Sequence, residues 1–194
     1  MRDQDAITLL HQMVAISSVS RQEQAIATFL SDFLTRYGFE CSIDEVGNFV
    51  AELGSGPELG VMLGHIDTVP GHIPVRIEDD ILYGRGSVDA KGCMATFAAA
   101  LSRIDASKLN GKITIIGCVE EEVPSSRGAR NVVDRHAPAW AIIGEPSGWD
   151  AITLGYKGYI SATVKIDQGR SHGAHEAPTT AERLASLWRT VELA

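Results

Sequence analysis

No run of this chain approaches the ~20 consecutive apolar residues that a membrane-spanning helix needs. Its first residues, MRDQDAITLLHQMVAI, carry charge and no uninterrupted apolar stretch, so no secretory signal is expected. Cysteine is scarce and unpatterned. Cys41, Cys93 and Cys118 stand at long spacings with no CxxC pair, which argues against both a disulfide framework and a thiolate zinc site. Unpaired thiols fit a reducing compartment, and a cytoplasmic location is expected. Basic charge is in deficit: 17 Lys and Arg face 25 Asp and Glu, a net charge of −8. That balance argues against nucleic acid as a partner, because such binding is carried by Lys and Arg, and against anionic membrane surfaces. Internal repeats and low-complexity segments are absent as well.

What remains is an ordinary globular balance, 44% hydrophobic and 22% charged, long enough to bury a core. Residues 5–16 read as a short amphipathic helix with Ile7, Leu10 and Val14 on one face. Ser20-Arg-Gln-Glu23 reads as a capping box before a second helix, whose apolar positions are Ile26, Phe29, Leu30, Phe33 and Leu34. Short strands are expected at 41–46 and 48–53, and a hairpin at 76–78 and 81–83. Three near-continuous apolar runs, 59–63 (LGVML), 112–119 (KITIIGCV) and 139–143 (AWAII), read as buried strands. Helices are expected at 90–104 and from Ser125 or Ser126 to about 135. The pattern defines an α/β fold with a mainly parallel sheet flanked by helices. Residues 159–166 then alternate like a half-exposed strand, and 180–193 read as an amphipathic helix, the start of a small α+β unit. The expected division is 1–154 and 155–194. With the last helix still open, the sequence reads as the N-terminal part of a longer protein.

In parallel sheets, ligands bind beyond the carboxyl ends of the strands. Here those ends carry His65 and Asp67, then Glu120-Glu121-Glu122, then Glu145. Asp89 lies in the glycine-punctuated GRGSVDAKG before a helix. Its third-glycine position holds Asp89, so this is not a dinucleotide fingerprint. Taken singly, Asp89 has the lesser alternative of a solvated turn aspartate and 120–122 that of a solvated acidic run. Taken together, an imidazole and several carboxylates at strand ends are ligands suited to a divalent metal. His11, His72 and His136 have no such company and read as surface or structural.

GHIDTVP, GRGSVDAKG, VEEEVPSSRGAR and GEPS, in this order, resemble the M20 family of di-metal peptidases and deacylases. Within it, VEEEVPSSRGAR and GEPSGWDAITLGYKG are similar to the branch that releases lysine or ornithine from an amino-group carrier protein. The resemblance implies a zinc-exopeptidase-like catalytic domain followed by a small dimerisation or lid domain, and a homodimer at full length. It implies two divalent ions, Zn2+ first, with Co2+ or Mn2+ able to substitute. His65, Asp89 and Glu145 would hold one ion, and Asp89 would bridge to a second held by Glu122. Asp67 would orient His65, Glu121 would act as general base and acid, and His172, with His175 as rival, would stabilise the oxyanion. Glu120 stands where many relatives have Asp. The family's last histidine ligand and its carboxylate-binding arginine come later in a longer chain and have no match here. The implied function is release of lysine or ornithine from a carrier-protein-linked or N-acyl precursor in lysine or arginine biosynthesis. An N-acyl-amino-acid deacylase or dipeptidase is the alternative within the family, and an inactive metal-binding fragment the alternative outside it. For an acidic carrier, Arg85, Lys91, Arg127, Arg130 and Lys157 form a candidate approach surface.

Overall fold

Strands that are apolar on both faces must lie between layers of helix, and the central strands do. The computed structural model describes residues 1–148, 150–158, 160–167 and 177–192. Helices α1 (Asp3–Ala15) and α2 (Gln24–Thr35) precede β1 (Glu40–Ile43), β2 (Phe49–Gly54) and β3 (Glu58–His65). A hairpin, β4 (Arg76–Glu78) and β5 (Ile81–Tyr83), leads to α3 (Lys91–Leu101), β6 (Lys112–Cys118), α4 (Arg127–Val133) and β7 (Trp140–Ile143). The main sheet has the order β1-β2-β6-β3-β7. Pairings β6–β3 and β3–β7 are parallel, whereas β1–β2 and β2–β6 are antiparallel. The sheet is therefore mixed, and its parallel part is the part that carries the site. The antiparallel part begins at the tight turn between β1 and β2, which reverses the chain without a crossover.

Alternation along β6 sends side chains into two apolar layers. Ile113 and Ile115 join the large core formed with Leu9 and Met13 of α1, Ile26, Leu30 and Leu34 of α2, and Met94 and Phe97 of α3. Ile116 and Cys118 join Val61 of β3 and Val132 of α4 on the other face. The buried residues of α1 are Leu9, Met13 and Val14, while Ile7 is exposed. The inward face is thus rotated from the one the spacing predicts, because α1 packs chiefly on α3 and less on α2.

The chain divides into two compact units, Met1–Ile152 and Thr153–Ala194. In the second, the predicted strand at 159–166 is not formed over residues 160–166. A lone alternating segment has no stability as a strand without a neighbour to receive its hydrogen bonds. Helix α5 (Thr180–Glu192) is present. It opens on a capping box: the Glu182 N–H donates to Thr179 Oγ1 at 3.2 Å and the Thr179 N–H donates to Glu182 Oε2 at 2.7 Å. Among the described residues, no helix is long and apolar enough to cross a membrane.

Candidate metal centre

Parallel strands bring their carboxyl ends to one edge, and three neighbours meet there. His65 of β3 lies opposite Cys118 of β6, and Leu63 lies opposite Ile143 of β7. Gly64 lets α3 close against β3, since a Cβ at this position would stand 2.8 Å from Met94 Sδ. Asp89 arrives from the turn ahead of α3, and its peptide bond to Ala90 is cis.

His65 is 1% exposed and held at both ring nitrogens. Nδ1 lies 3.0 Å from the Asp67 carbonyl oxygen. That oxygen can only accept, so Nδ1 carries a hydrogen and Nε2 is the nitrogen offered to the cleft. Nε2 lies 2.8 Å from Asp89 Oδ1 and 3.9 Å from Glu121 Oε2. Ligand atoms of His65, Asp89 and Glu122 all lie within 4.8 Å of one another. Beside Asp89 and Glu122 opens a cavity of about 290 Å3, lined also by Val69, Arg85 and Ser87.

The electrostatics favour a cation. Burial works against a charged imidazole, but hydrogen bonds to Asp67 and Asp89 and the charges of Glu145 and Asp67 outweigh it, raising the His65 pKa to about 10. Nε2 stands beside Asp89, where a metal ion would fit. Burial first, and then neighbouring acids, push Glu122 and Glu145 above the ordinary carboxylate range. Mutually repelling carboxylates around one imidazole are a donor set that fits a divalent metal.

Asp67 is fully buried, and its carboxylate does more than face His65, whose Nδ1 is 3.4 Å from Oδ1. It accepts hydrogen bonds from Ser20 Oγ at 2.7 Å and from the backbone N–H groups of Glu121 and Glu122 at 3.0 Å each. Burial opposes its charge, but the bonds from His65, Ser20 and the two amides outweigh that and hold its pKa below the usual range.

His65, Asp89 and Glu122 are thus brought together, with Glu121 alongside and Asp67 behind. Glu145 lies outside that close group, though its charge acts on His65. His172 and His175 lie outside the described residues. Two sequence readings are corrected. Ser20 and Glu23 form no capping box: the N-cap of α2 is Glu23, which makes no side-chain cap bond. Instead Ser20 reaches Asp67, and Glu23 Oε1 accepts from the Arg21 and Glu120 N–H groups at 2.8 and 3.0 Å. Lys91 is not on an approach surface. It is 1% exposed, its Nζ donates to the Ile16 carbonyl at 2.7 Å, and burial lowers its pKa to about 8.

An α/β sheet that gathers an imidazole and several carboxylates at the ends of its parallel strands defines a class, the α/β proteins equipped to hold divalent metal. The chain belongs to peptidase family M20/M25/M40, whose model matches residues 61–193. Over 190 residues it is 47% identical to the [LysW]-lysine hydrolase of Deinococcus radiodurans, covering 97% of this chain and 52% of that protein. It is 30% identical over 201 residues to the succinyl-diaminopimelate desuccinylase of Ehrlichia chaffeensis, covering 88% and 52%. Its fold is like that of a tripeptidase from Staphylococcus aureus, with a TM-score of 0.63 at 22% identity, over 76% of this chain and 44% of that one. The chain spans about half the length of the curated relatives it matches.

Proposed function

We infer that the protein is a metal-dependent amide hydrolase that releases lysine or ornithine from a carrier-protein-linked precursor, in lysine or arginine biosynthesis. The observation that carries this reading is the His65, Asp89 and Glu122 cluster, with Glu121 beside it, in a chain 47% identical to a [LysW]-lysine hydrolase. His65, Asp89, Glu122 and Glu145 would hold two divalent ions, with Zn2+ first by donor chemistry and Co2+ or Mn2+ able to substitute. When bound, such ions polarise the scissile carbonyl and make water a nucleophile near neutral pH.

The chain's own residues supply the rest. Glu121, whose side chain is 45% exposed beside Nε2, takes a proton from the attacking water and returns it to the leaving amine. The Asp67 carbonyl fixes the tautomer of His65, so that Nε2 stays directed at the cleft. His172 is assigned a hydrogen bond to the developing oxyanion. For an acidic carrier, Arg127 and Arg130 are exposed and Arg85 is half-buried beside the cleft. A homodimer is the proposed assembly.

The test uses the complete reading frame, loaded in turn with Zn2+, Co2+ and Mn2+. Substrates are a carrier-linked lysine adduct, N-acetylornithine and N-succinyl-diaminopimelate. The carrier adduct is expected to lead in kcat/KM by at least about tenfold, with activity lost to a chelator and restored by metal. A preference for either small acyl substrate moves the assignment to a deacylase. No cleavage of any amide by the metal-loaded protein overturns it.

A further inference from the structure

Where β6 ends at Cys118, the backbone loses its ladder partners, yet the next four N–H groups are all satisfied by side-chain oxygens. Val119 N–H donates to Asn48 Oδ1 at 3.0 Å and Glu120 N–H to Glu23 Oε1 at 3.0 Å. Glu121 and Glu122 N–H groups donate to the two oxygens of Asp67, at 3.0 Å each. The last two amides close around one anion as in a backbone nest, and here that anion is the buried Asp67 carboxylate. The turn is made at Glu120, whose φ of +56° lies in the left-handed region. Such a backbone is strained for a residue other than glycine and needs its surroundings to enforce it. Those surroundings include Ser125 Oγ on the Glu120 carboxylate at 2.6 Å, with Arg21 and Arg127 each at 3.5 Å.

Two of these oxygen carriers depend on the loop between α1 and α2. Glu23 is 5% exposed, and its Oε1 ties the Arg21 and Glu120 N–H groups together. Ser20 donates to Asp67 Oδ2, the same oxygen that receives the Glu122 amide. Neither side chain is part of the His65, Asp89 and Glu122 cluster. A buried carboxylate is expensive to keep, and one spent on aiming a turn is explained by what the turn carries.

The geometry points to Glu23 and Ser20 as positioning residues, which hold the 119–122 turn so that Glu121 and Glu122 face the metal cleft. This rests on the hydrolase reading above. Glu23 acts through the Glu120 amide, and Ser20 acts by fixing the Asp67 carboxylate between the two amides it receives. With the amides turned inward, the backbone at 121 and 122 is fixed, so both glutamate side chains leave the turn in a set direction. That is the preorganisation a proton-transfer group and a metal ligand both require.

The complete reading frame is compared with Glu23→Gln, Ser20→Ala and the conservative Ser20→Thr. Three quantities are measured: kcat and KM, Zn2+ and Mn2+ affinity by titration calorimetry, and Tm. Glu23→Gln keeps the shape but weakens both amide bonds to Oε1, because a neutral amide oxygen accepts less strongly than a carboxylate. Glu23→Gln and Ser20→Ala are expected to lower kcat or metal affinity roughly 10- to 100-fold with KM nearly unchanged. Ser20→Thr, which keeps the hydroxyl donor, restores most of the loss. Unaltered kcat and metal affinity in both variants overturn the inference, as does a lower Tm with kcat per folded molecule intact. A wild-type protein that binds metal but cleaves no amide overturns the hydrolase reading alone, since the metal affinities still decide the role of Glu23 and Ser20. A wild-type protein that takes up no metal overturns both.

Discussion

Strands β6 and β7 flank the same strand, run in the same direction and each hands an acid towards the same cleft, yet their surroundings are opposite. Six of the seven residues of β6 are buried, and all four residues of β7 are exposed. Both pair with β3 in parallel, β6 with one register shift between Glu58 and Gly60. Part of the difference is position, since β6 also pairs with β2 whereas β7 is the edge of the sheet, and part lies in the side-chain layers above and below. β6 is sandwiched between the large core and the Val61, Ile116, Cys118 and Val132 cluster. β7 presents Trp140, Ile142 and Ile143 to solvent. After β6, four successive amides are gripped by Asn48, Glu23 and Asp67. After β7, the Gly144 N–H donates to the Leu63 carbonyl at 2.7 Å, and Glu145 follows. A sheet can place a ligand by pairing alone, but it fixes one in orientation only where side chains close around the turn that carries it.

The largest effect expected from this contrast is kinetic. Glu121→Gln in the complete reading frame should lower kcat by about 10²- to 10⁴-fold, the range for losing a general base, while metal content measured by mass spectrometry stays at the wild-type value. Glu145→Gln should act through metal uptake instead, with weaker affinity and with activity recovered at raised metal concentration. If Glu145→Gln leaves metal affinity unchanged, Glu145 is not a ligand and the β7 end carries none of the site. If Glu121→Gln loses metal, the division of roles along the β6 turn is wrong.

Stability provides the next test. Ile116 is fully buried on β6, and Ile142 is 46% exposed on β7. Truncating a buried isoleucine to alanine costs about 2–5 kcal/mol, so Ile116→Ala should lower the urea midpoint steeply. Ile142→Ala should cost under about 1 kcal/mol, as exposed substitutions do. The curated relatives are about twice the length this chain spans, so the pair is informative in the complete reading frame too. Equal losses there would show that β7 is covered in solution, and the asymmetry described above would not hold.

The elements of the first unit are legible in the sequence because burial on both faces leaves an unbroken apolar run. LGVML, KITIIGCV and AWAII fall on β3, β6 and β7. The hairpin at Arg76–Tyr83 is legible for its turn residues, Asp79 and Asp80, both at positive φ. The acids and the histidine at the strand ends are legible for the same reason, since each follows a readable strand. What is not legible is how a polar residue is used. Ser20-x-x-Glu23 and Thr179-x-x-Glu182 have the same spacing, but the second caps its helix and the first serves the site. No local signal separates them, because the partners that tie Ser20 and Glu23 to the site lie 47 and 97 residues away. Lys91 escapes for a similar reason. Its long apolar stem passes into the interior and its amine finds the Ile16 carbonyl, which charge alone does not announce.

The smallest effect expected concerns the far end of β6, away from the metal cleft. There Lys112 forms an ion pair with Glu52 of β2, its side chain 30% exposed and that of Glu52 27%. The two are diagonal neighbours, since Glu52 lies opposite Thr114 and Lys112 opposite Gly54. The hydrogen bond to Glu52 raises the Lys112 pKa; burial opposes it, and the charges of Glu52, Glu58 and Glu40 add to it. A lysine raised on folding contributes stability below its ordinary value of 10.5, and loses that contribution as pH climbs through the raised one. Lys112→Met should therefore cost less than about 1 kcal/mol near neutral pH, as half-exposed pairs do. The gap from wild type should narrow in molar salt and again above roughly pH 10.5. Metal affinity should not move, because the opposite end of the strand holds the site. A loss as large as that of Ile116→Ala would mean that a charge pair, and not the two apolar layers, is what separates β6 from β7.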